Sequence, residues 1–244
     1  KSMTNKLQER EDKLKDANAQ LLVLDEAKNG FLQLISHEIR TPLNGIVGST
    51  YFLNDMINDP DLKDFLEMLK ESVDRLDSFS KMALEITEMQ TIGEKAVKKE
   101  FEINPVINTV IDELKDKAHE KHVGISTNLF KDDRLFGLEN YFRRSLLELI
   151  GNAIKYSNEN TVIEITTFVK DNKLNISVSD TGEIIPKEKI EEITKPFGLG
   201  KDHYDKDIGL GLTYIQKFLD LHNSSMKITS NEEKTEIILS FNKI

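Results

Sequence analysis

Two apolar stripes at heptad spacing, interrupted by Asn58-Asp59-Pro60, set the strongest limit on how this chain can fold. Ahead of the break, Phe31, Ile35, Ile39, Leu43, Ile46, Thr50 and Leu53 recur every three or four residues, the period of one helix face. Beyond it, Leu62, Leu69, Leu76 and Ala83 alternate with Phe65, Ser72, Phe79 and Ile86. Proline after Asn-Asp is a turn and stop signal, so the two helices are expected to fold back as an antiparallel hairpin. One hairpin cannot bury both stripes, whereas two hairpins close a four-helix bundle. Residues 31–90 are therefore expected to form a homodimer.

Residues 1–30 carry an earlier seam, with Leu7, Leu14, Leu21 and Lys28 at one heptad position and Met3, Arg10, Ala17 and Leu24 at the other. Charged Arg10 and Lys28 weaken it. Either a coiled coil able to change its packing or a solvated helix with an apolar stripe fits. Because the chain opens inside this charged repeat, an upstream sensory part is expected. Pro42 removes one backbone hydrogen bond and should bend the helix.

Around 91–99 the heptads stop and Gly93 stands among charged residues, which reads as a linker. From 100 to 244 helical and alternating patterns take turns. Glu100–Ile103, Val123–Leu129, Val162–Val169, Leu174–Ser179, Met226–Thr229 and Thr235–Phe241 read as strands, and Asn104–Lys121, Leu138–Tyr156 and Gly211–Leu221 as helices. Hairpin-like antiparallel pairs point to an α+β sandwich, and the stretch between Gly182 and Gly209 to a lid. A multi-domain chain follows: an all-α dimerising hairpin, then the sandwich.

Of the 244 residues, 43 are acidic and 33 basic, a net charge of −10 that opposes sequence-independent nucleic-acid binding. There is no cysteine, hence no disulfide or thiolate metal site. No apolar run reaches the length of about 18 residues that a membrane span requires, and no signal-peptide core is present. A cytoplasmic protein is expected, or the cytoplasmic part of a membrane-bound sensor.

His37 falls two residues, about 200° of helical rotation, from Ile35. It shares the polar side with Gln33, Arg40, Thr41, Asn44 and Gly48. An exposed imidazole keeps a free ring nitrogen near neutral pH and can act as a nucleophile. Glu38 can hold the other ring nitrogen and take up a proton, and Thr41 can orient a water. A solvated surface histidine has the same pattern, and the residues alone leave both readings open.

Further on, Glu148, Asn152 and Lys155 share one helix face. The Asn152 amide oxygen suits Mg²⁺ and the Lys155 ammonium suits phosphate. A solvated face opposite Leu147, Ile150 and Ile154 is the alternative. Asp180 emerges at a strand end, and Gly182 permits close approach of backbone to a ligand. Gly209 and Gly211 open a helix whose amides can bind phosphate.

Ser36-His-Glu-Ile-Arg-Thr-Pro-Leu-Asn-Gly-Ile46 resembles the H box of sensor histidine kinases, in the form seen in hybrid kinases. The stretches around Asn152, Asp180 and Gly209 resemble the N, G1 and G2 boxes of the same family, and Phe197 its F box. The resemblance spans roughly residues 25 to 244. It implies a Bergerat ATP-binding fold, phosphorylation of His37, Glu38 as acid/base, and Thr41 assisting a phosphatase reaction. It further implies Asn152 on Mg²⁺, Lys155 on phosphate and Asp180 on the adenine amino group. Tyr156, Gly182, Phe197, Gly209 and Gly211 complete the ATP pocket, and a response-regulator receiver domain is the partner.

Three positions depart from the pattern. Glu148 stands where the family usually has Asn, as a metal-site neighbour or as a water-activating base. Ile184 replaces a glycine of the G1 box, and Asp207-Ile208 replace the leading Gly-Thr of the G2 box. These departures leave two rivals to the kinase: a degenerate kinase acting as phosphatase or scaffold, and a Bergerat-fold ATPase using Glu148.

Overall fold

The computed structural model describes residues 43–51, 53, 60–92, 96–131, 134–193 and 210–243. The expected coiled coil, His37, Glu38, Thr41 and Pro42 lie outside those residues, as do Phe197, Asp207, Ile208 and Gly209. The chain separates into two units, Lys1–Thr91 and Ile92–Ile244.

In the first unit, residues 43–51 are helical (α1) and Pro60–Ile92 forms α2. The Lys70 ammonium lies 4.8 Å over the Tyr51 ring, a contact between the end of α1 and the first half of α2 that an antiparallel hairpin requires. The stripe buried within one chain is Leu66, Val73, Ser80 and Thr87, with Met82 and Met89 beside it. It is offset from the stripe legible in the sequence. Leu62, Leu69 and Leu76 remain 45–49 % exposed, and Phe65 is 71 % exposed. On α1, Leu43 and Thr50 are buried while Ile46 stays open, as does Leu53 beyond it. Both helices thus carry one apolar face turned inward and another left at the surface.

The second unit is a two-layer sandwich. Its strands are β1 (Lys99–Glu102), β2 (Gly124–Asn128), β3 (Arg134–Gly137), β4 (Val162–Lys170), β5 (Lys173–Asp180), β6 (Ser225–Ser230) and β7 (Thr235–Asn242). Its helices are α3 (Ile103–Glu120), α4 (Glu139–Tyr156), α5 (Lys187–Ile193) and α6 (Gly211–Leu221). Five strands form one sheet in the order β2-β4-β5-β7-β6, and β1 pairs with β3 separately. Hairpins β4–β5 and β6–β7 and the β5–β7 pair are antiparallel, as expected. The β2–β4 pair is parallel, because the connection between them carries α4 and is long enough for a crossover.

Phe142 of α4 anchors the core, fully buried, with the rings of Phe101, Phe218 and Phe241 at 5.4, 6.1 and 6.1 Å. β5 runs through the middle of the sheet, with Leu174, Ile176 and Val178 buried. Asp180 is thereby delivered at the end of a rigid central strand.

His222, which carries no sequence signal, joins α6 to the start of α4. Its Nδ1 lies 2.7 Å from the Phe218 carbonyl, and its Nε2 accepts the Leu138 N–H at 3.2 Å. This pattern requires the neutral ring. Burial lowers the His222 pKa below its usual 6.5, the Phe218 carbonyl opposes that, and the Lys98 ammonium lowers it further. A lowered folded pKa gives stability that is complete above the unfolded value of 6.5 and is lost as pH falls toward the folded one. Thermal melts taken between pH 7.5 and pH 5 are expected to show this loss. In His222→Gln, which can both donate and accept without titrating, the slope should be shallower; an equal slope in both proteins would rule out His222 as its source.

Candidate functional site

α4 supplies a row of polar side chains because its opposite face, with Phe142, Leu146, Leu149, Ile150, Ala153 and Ile154, is committed to the core. Along that row stand Arg144, Glu148, Asn152 and Lys155, with Tyr156 at the end. The distance from Glu148 to Tyr156 along the helix is about 12 Å at 1.5 Å per residue.

At the far end of the row lies the turn after β5. Asp180 is 8 % exposed, and its Oδ1 accepts the Gly182 N–H at 3.0 Å. Burial raises the Asp180 pKa, while the Gly182 N–H and the Lys121 ammonium hold it down. Gly182 forms an isolated antiparallel bridge with Ser157, and Asn158 Nδ2 donates to the Thr181 carbonyl. A Cβ on residue 182 would sit 2.2 Å from the Tyr156 carbonyl oxygen and 2.8 Å from Asp180 Oδ1. The close approach that calls for glycine is therefore to the C-terminus of α4, not only to a ligand.

Lys121, just past α3, donates its ammonium to the Lys155 carbonyl. Burial lowers its pKa, opposed by Glu159 and Asp180. It caps the last turn of α4 and places a cation near Asp180. The sequence offers no sign of this role, because the contact spans 34 residues.

At the near end, Gly211 begins α6 against α4. A Cβ there would come within 3.0 Å of Glu148 Oε2 and 3.6 Å of Asn152 Nδ2. Leu210, the residue before α6, makes no side-chain cap. Glu148 Oε1 lies 3.0 Å from Arg144 Nη2. Lys155 Nζ lies 5.2 Å over the Tyr156 ring, which is 48 % exposed.

Of the residues expected to bind nucleotide, Glu148, Asn152 and Gly211 meet at one end of the row, and Lys155, Tyr156, Asp180 and Gly182 at the other. Ile184 is 48 % exposed beyond the turn. The stretch expected to form a lid, described only to residue 193, contains the short helix α5. Its start is set by Pro186, whose carbonyl accepts the N–H groups of Lys189 and Ile190. No helix among the described residues is long and apolar enough to cross a membrane.

Comparison with known proteins gives a consistent pattern. Residues 27–91 match the His Kinase A (phospho-acceptor) domain. Residues 137–243 match the histidine kinase-, DNA gyrase B- and HSP90-like ATPase family. The hybrid signal transduction protein dokA of Dictyostelium discoideum is 30 % identical over 219 residues, 85 % of this chain and 13 % of that protein. Among solved structures, full-length ShkA in complex with AMPPNP aligns with a TM-score of 0.72 at 23 % identity, covering 86 % of this chain and 45 % of that one. ThkA in complex with the response regulator protein TrrA aligns with a TM-score of 0.62 at 24 % identity, covering 86 % and 60 %. The chain spans only 13 to 51 % of the length of the first curated relatives it matches.

Proposed function

Because this chain belongs to the histidine kinases, with a phospho-acceptor domain followed by an ATPase-type domain, we propose that it transfers the γ-phosphoryl group of ATP to His37. An aspartate on a response-regulator receiver domain then takes the group from His37. The observation that carries this reading is the row on α4, where Glu148 and Asn152 meet Gly211 at one end and Asp180 is locked beside Tyr156 at the other. One end for a base and one for phosphates, about 12 Å apart along one helix, suit an extended nucleoside triphosphate.

Asp180 accepts the adenine amino group, and Tyr156 offers its exposed ring to the base. Lys155, whose ammonium rests over the Tyr156 ring at the base end, swings along the row to meet phosphate, while Gly209, Gly211 and Phe197 shape the lid side. Glu148 and Asn152 present a carboxylate and an amide, hard oxygen donors that fit Mg²⁺. When bound, that ion neutralises charge between the phosphates. A free ring nitrogen of His37 attacks the γ-phosphorus as its bond to the bridging oxygen breaks and ADP departs. Glu38 fixes the imidazole and takes its proton. Thr41 orients water when the receiver is dephosphorylated.

The exposed stripe of Leu62, Phe65, Leu69 and Leu76 supports a homodimer through residues 31–90. The domain division follows the same reading, with signalling helix 1–30, linker 91–99 and catalytic domain 100–244. In the fold relative ThkA, the solved complex contains a response regulator, the partner class proposed here. Incubated with Mg²⁺ and γ-labelled ATP, the chain is expected to acquire acid-labile, alkali-stable label, and His37→Gln to acquire none. Label that persists in His37→Gln, or a wild type that binds ATP without ever becoming labelled, would overturn the proposal.

A further inference from the structure

Lys121 stands outside every nucleotide-site motif, yet it reaches the base end of the α4 row. It follows α3, where His122 takes a φ of 57° as the chain turns into β2. From there its ammonium donates to the Lys155 carbonyl in the last turn of α4. The next carbonyl oxygen along, that of Tyr156, is the atom a Cβ on residue 182 would meet. Gly182 in turn donates its N–H to Asp180 Oδ1 at 3.0 Å, which leaves Oδ2 as the oxygen for a base. One helix end is therefore gripped from two sides, by Lys121 and by the turn that carries Asp180.

Asp180 is 8 % exposed, and burial of that degree favours the protonated carboxyl unless a charge opposes it. The elements around it carry Lys121 after α3, Lys155 and Glu159 at the end of α4, Glu183 on its own turn, and Lys234 and Glu236 at β7. Lys155 Nζ rests over the Tyr156 ring, Glu183 is exposed, and Glu236 pairs with Lys234 at 3.2 Å. Glu159 acts on Lys121, raising its pKa against burial. The Lys121 ammonium and the Gly182 N–H hold the Asp180 carboxyl down.

We infer that Lys121 is a positioning residue for base recognition: its charge keeps Asp180 a hydrogen-bond acceptor, so that the site takes a purine with an amino group at position 6 and rejects one with a carbonyl there. This rests on the ATP reading of the row and deepens it. Adenine presents an N–H to Oδ2. Hypoxanthine presents a carbonyl oxygen, which a carboxylate repels and a carboxylic acid binds by donating. A buried group left without its partner makes the rejection strong. Removing the Lys121 charge lets burial raise the Asp180 pKa further, so the acid form gains ground as pH falls.

The test uses the full chain, with ATP and inosine triphosphate competing in Mg²⁺ against a fluorescent ATP analogue at pH 8 and pH 6. Wild type, Lys121→Gln, Lys121→Met and Lys121→Arg are compared, together with Asp180→Asn and Lys121→Gln/Asp180→Asn. Lys121→Gln offers the Lys155 carbonyl a donor without a charge, which separates the charge from the helix cap. Wild type and Lys121→Arg are expected to keep one preference for ATP at both pH values. In Lys121→Gln and Lys121→Met the preference should fall about tenfold from pH 8 to pH 6, the change that tenfold stronger proton binding by the carboxyl would bring. With Asp180→Asn, which cannot titrate, Lys121→Gln should leave the preference unchanged. A preference in Lys121→Gln as flat with pH as in wild type, a fall that persists with Asp180→Asn, or a wild type that binds both nucleotides alike would overturn the inference. Failure of the kinase reading shows separately, as a wild type that discriminates the two nucleotides in this way yet acquires no label on His37.

Discussion

Gly182→Ala is expected to abolish measurable nucleotide binding while leaving the chain folded. The methyl group would be built 2.2 Å from the Tyr156 carbonyl oxygen and 2.8 Å from its carbonyl carbon. Neither atom can swing aside as a side-chain tip would. Both belong to the last turn of α4, pinned by the Ser157–Gly182 bridge, the Asn158–Thr181 bond and the Lys121 cap. Relief must come from the turn after β5, which then leaves α4 and loses the Gly182 N–H that orients Asp180. Overpacking of this kind costs about 1–3 kcal/mol, which the rest of the sandwich can absorb. Binding of a fluorescent ATP analogue is expected to weaken at least about a hundredfold, or roughly 2.7 kcal/mol, with the far-ultraviolet dichroism unchanged. Asp180→Asn, which leaves the turn in place, isolates the carboxylate from the geometry. Affinity within about threefold of wild type in Gly182→Ala, less than 1 kcal/mol, would mean that the turn does not form the base site.

The reason for that glycine was only half legible in the sequence. Ser179-Asp-Thr-Gly182 identifies a strand end and a tight approach, but not that the approaching backbone is Tyr156, because no local pattern reports which helix end packs on a given turn. The same limit explains the other surprises. α4, β4 and β5 were legible because their apolar periods persist over 18, 9 and 8 residues. β3 exists through its pairing with β1, and its adjacent Leu135 and Phe136, one buried and one exposed, break the alternation that would mark a strand. Lys121, His222 and Leu138 act across separations of 34 and 84 residues, which only the fold closes.

Phe65→Glu combined with Leu69→Glu is expected to convert a dimer into a monomer, read as a halving of the mass in light scattering. The hairpin buries Leu66, Val73 and Ser80 within one chain and leaves Phe65, Met68 and Leu69 at 71, 66 and 45 % exposure on the same helix. Burying such side chains fully is worth about 1.5–3 kcal/mol each, and a two-fold interface counts every one twice. Each substitution likewise acts twice, so four carboxylates would enter the core of the bundle. Burying unpaired charge costs several kcal/mol per ion, more than the stripe can return. Because the nucleotide row belongs to the other unit, Ile92–Ile244, analogue binding should persist in the monomer. Label on His37 should fall, since the phospho-acceptor domain, residues 27–91, loses its partner copy. A doubly substituted chain that keeps the wild-type mass would show that α2 turns a different face to its copy, and a wild type that is already monomeric would remove the need for one.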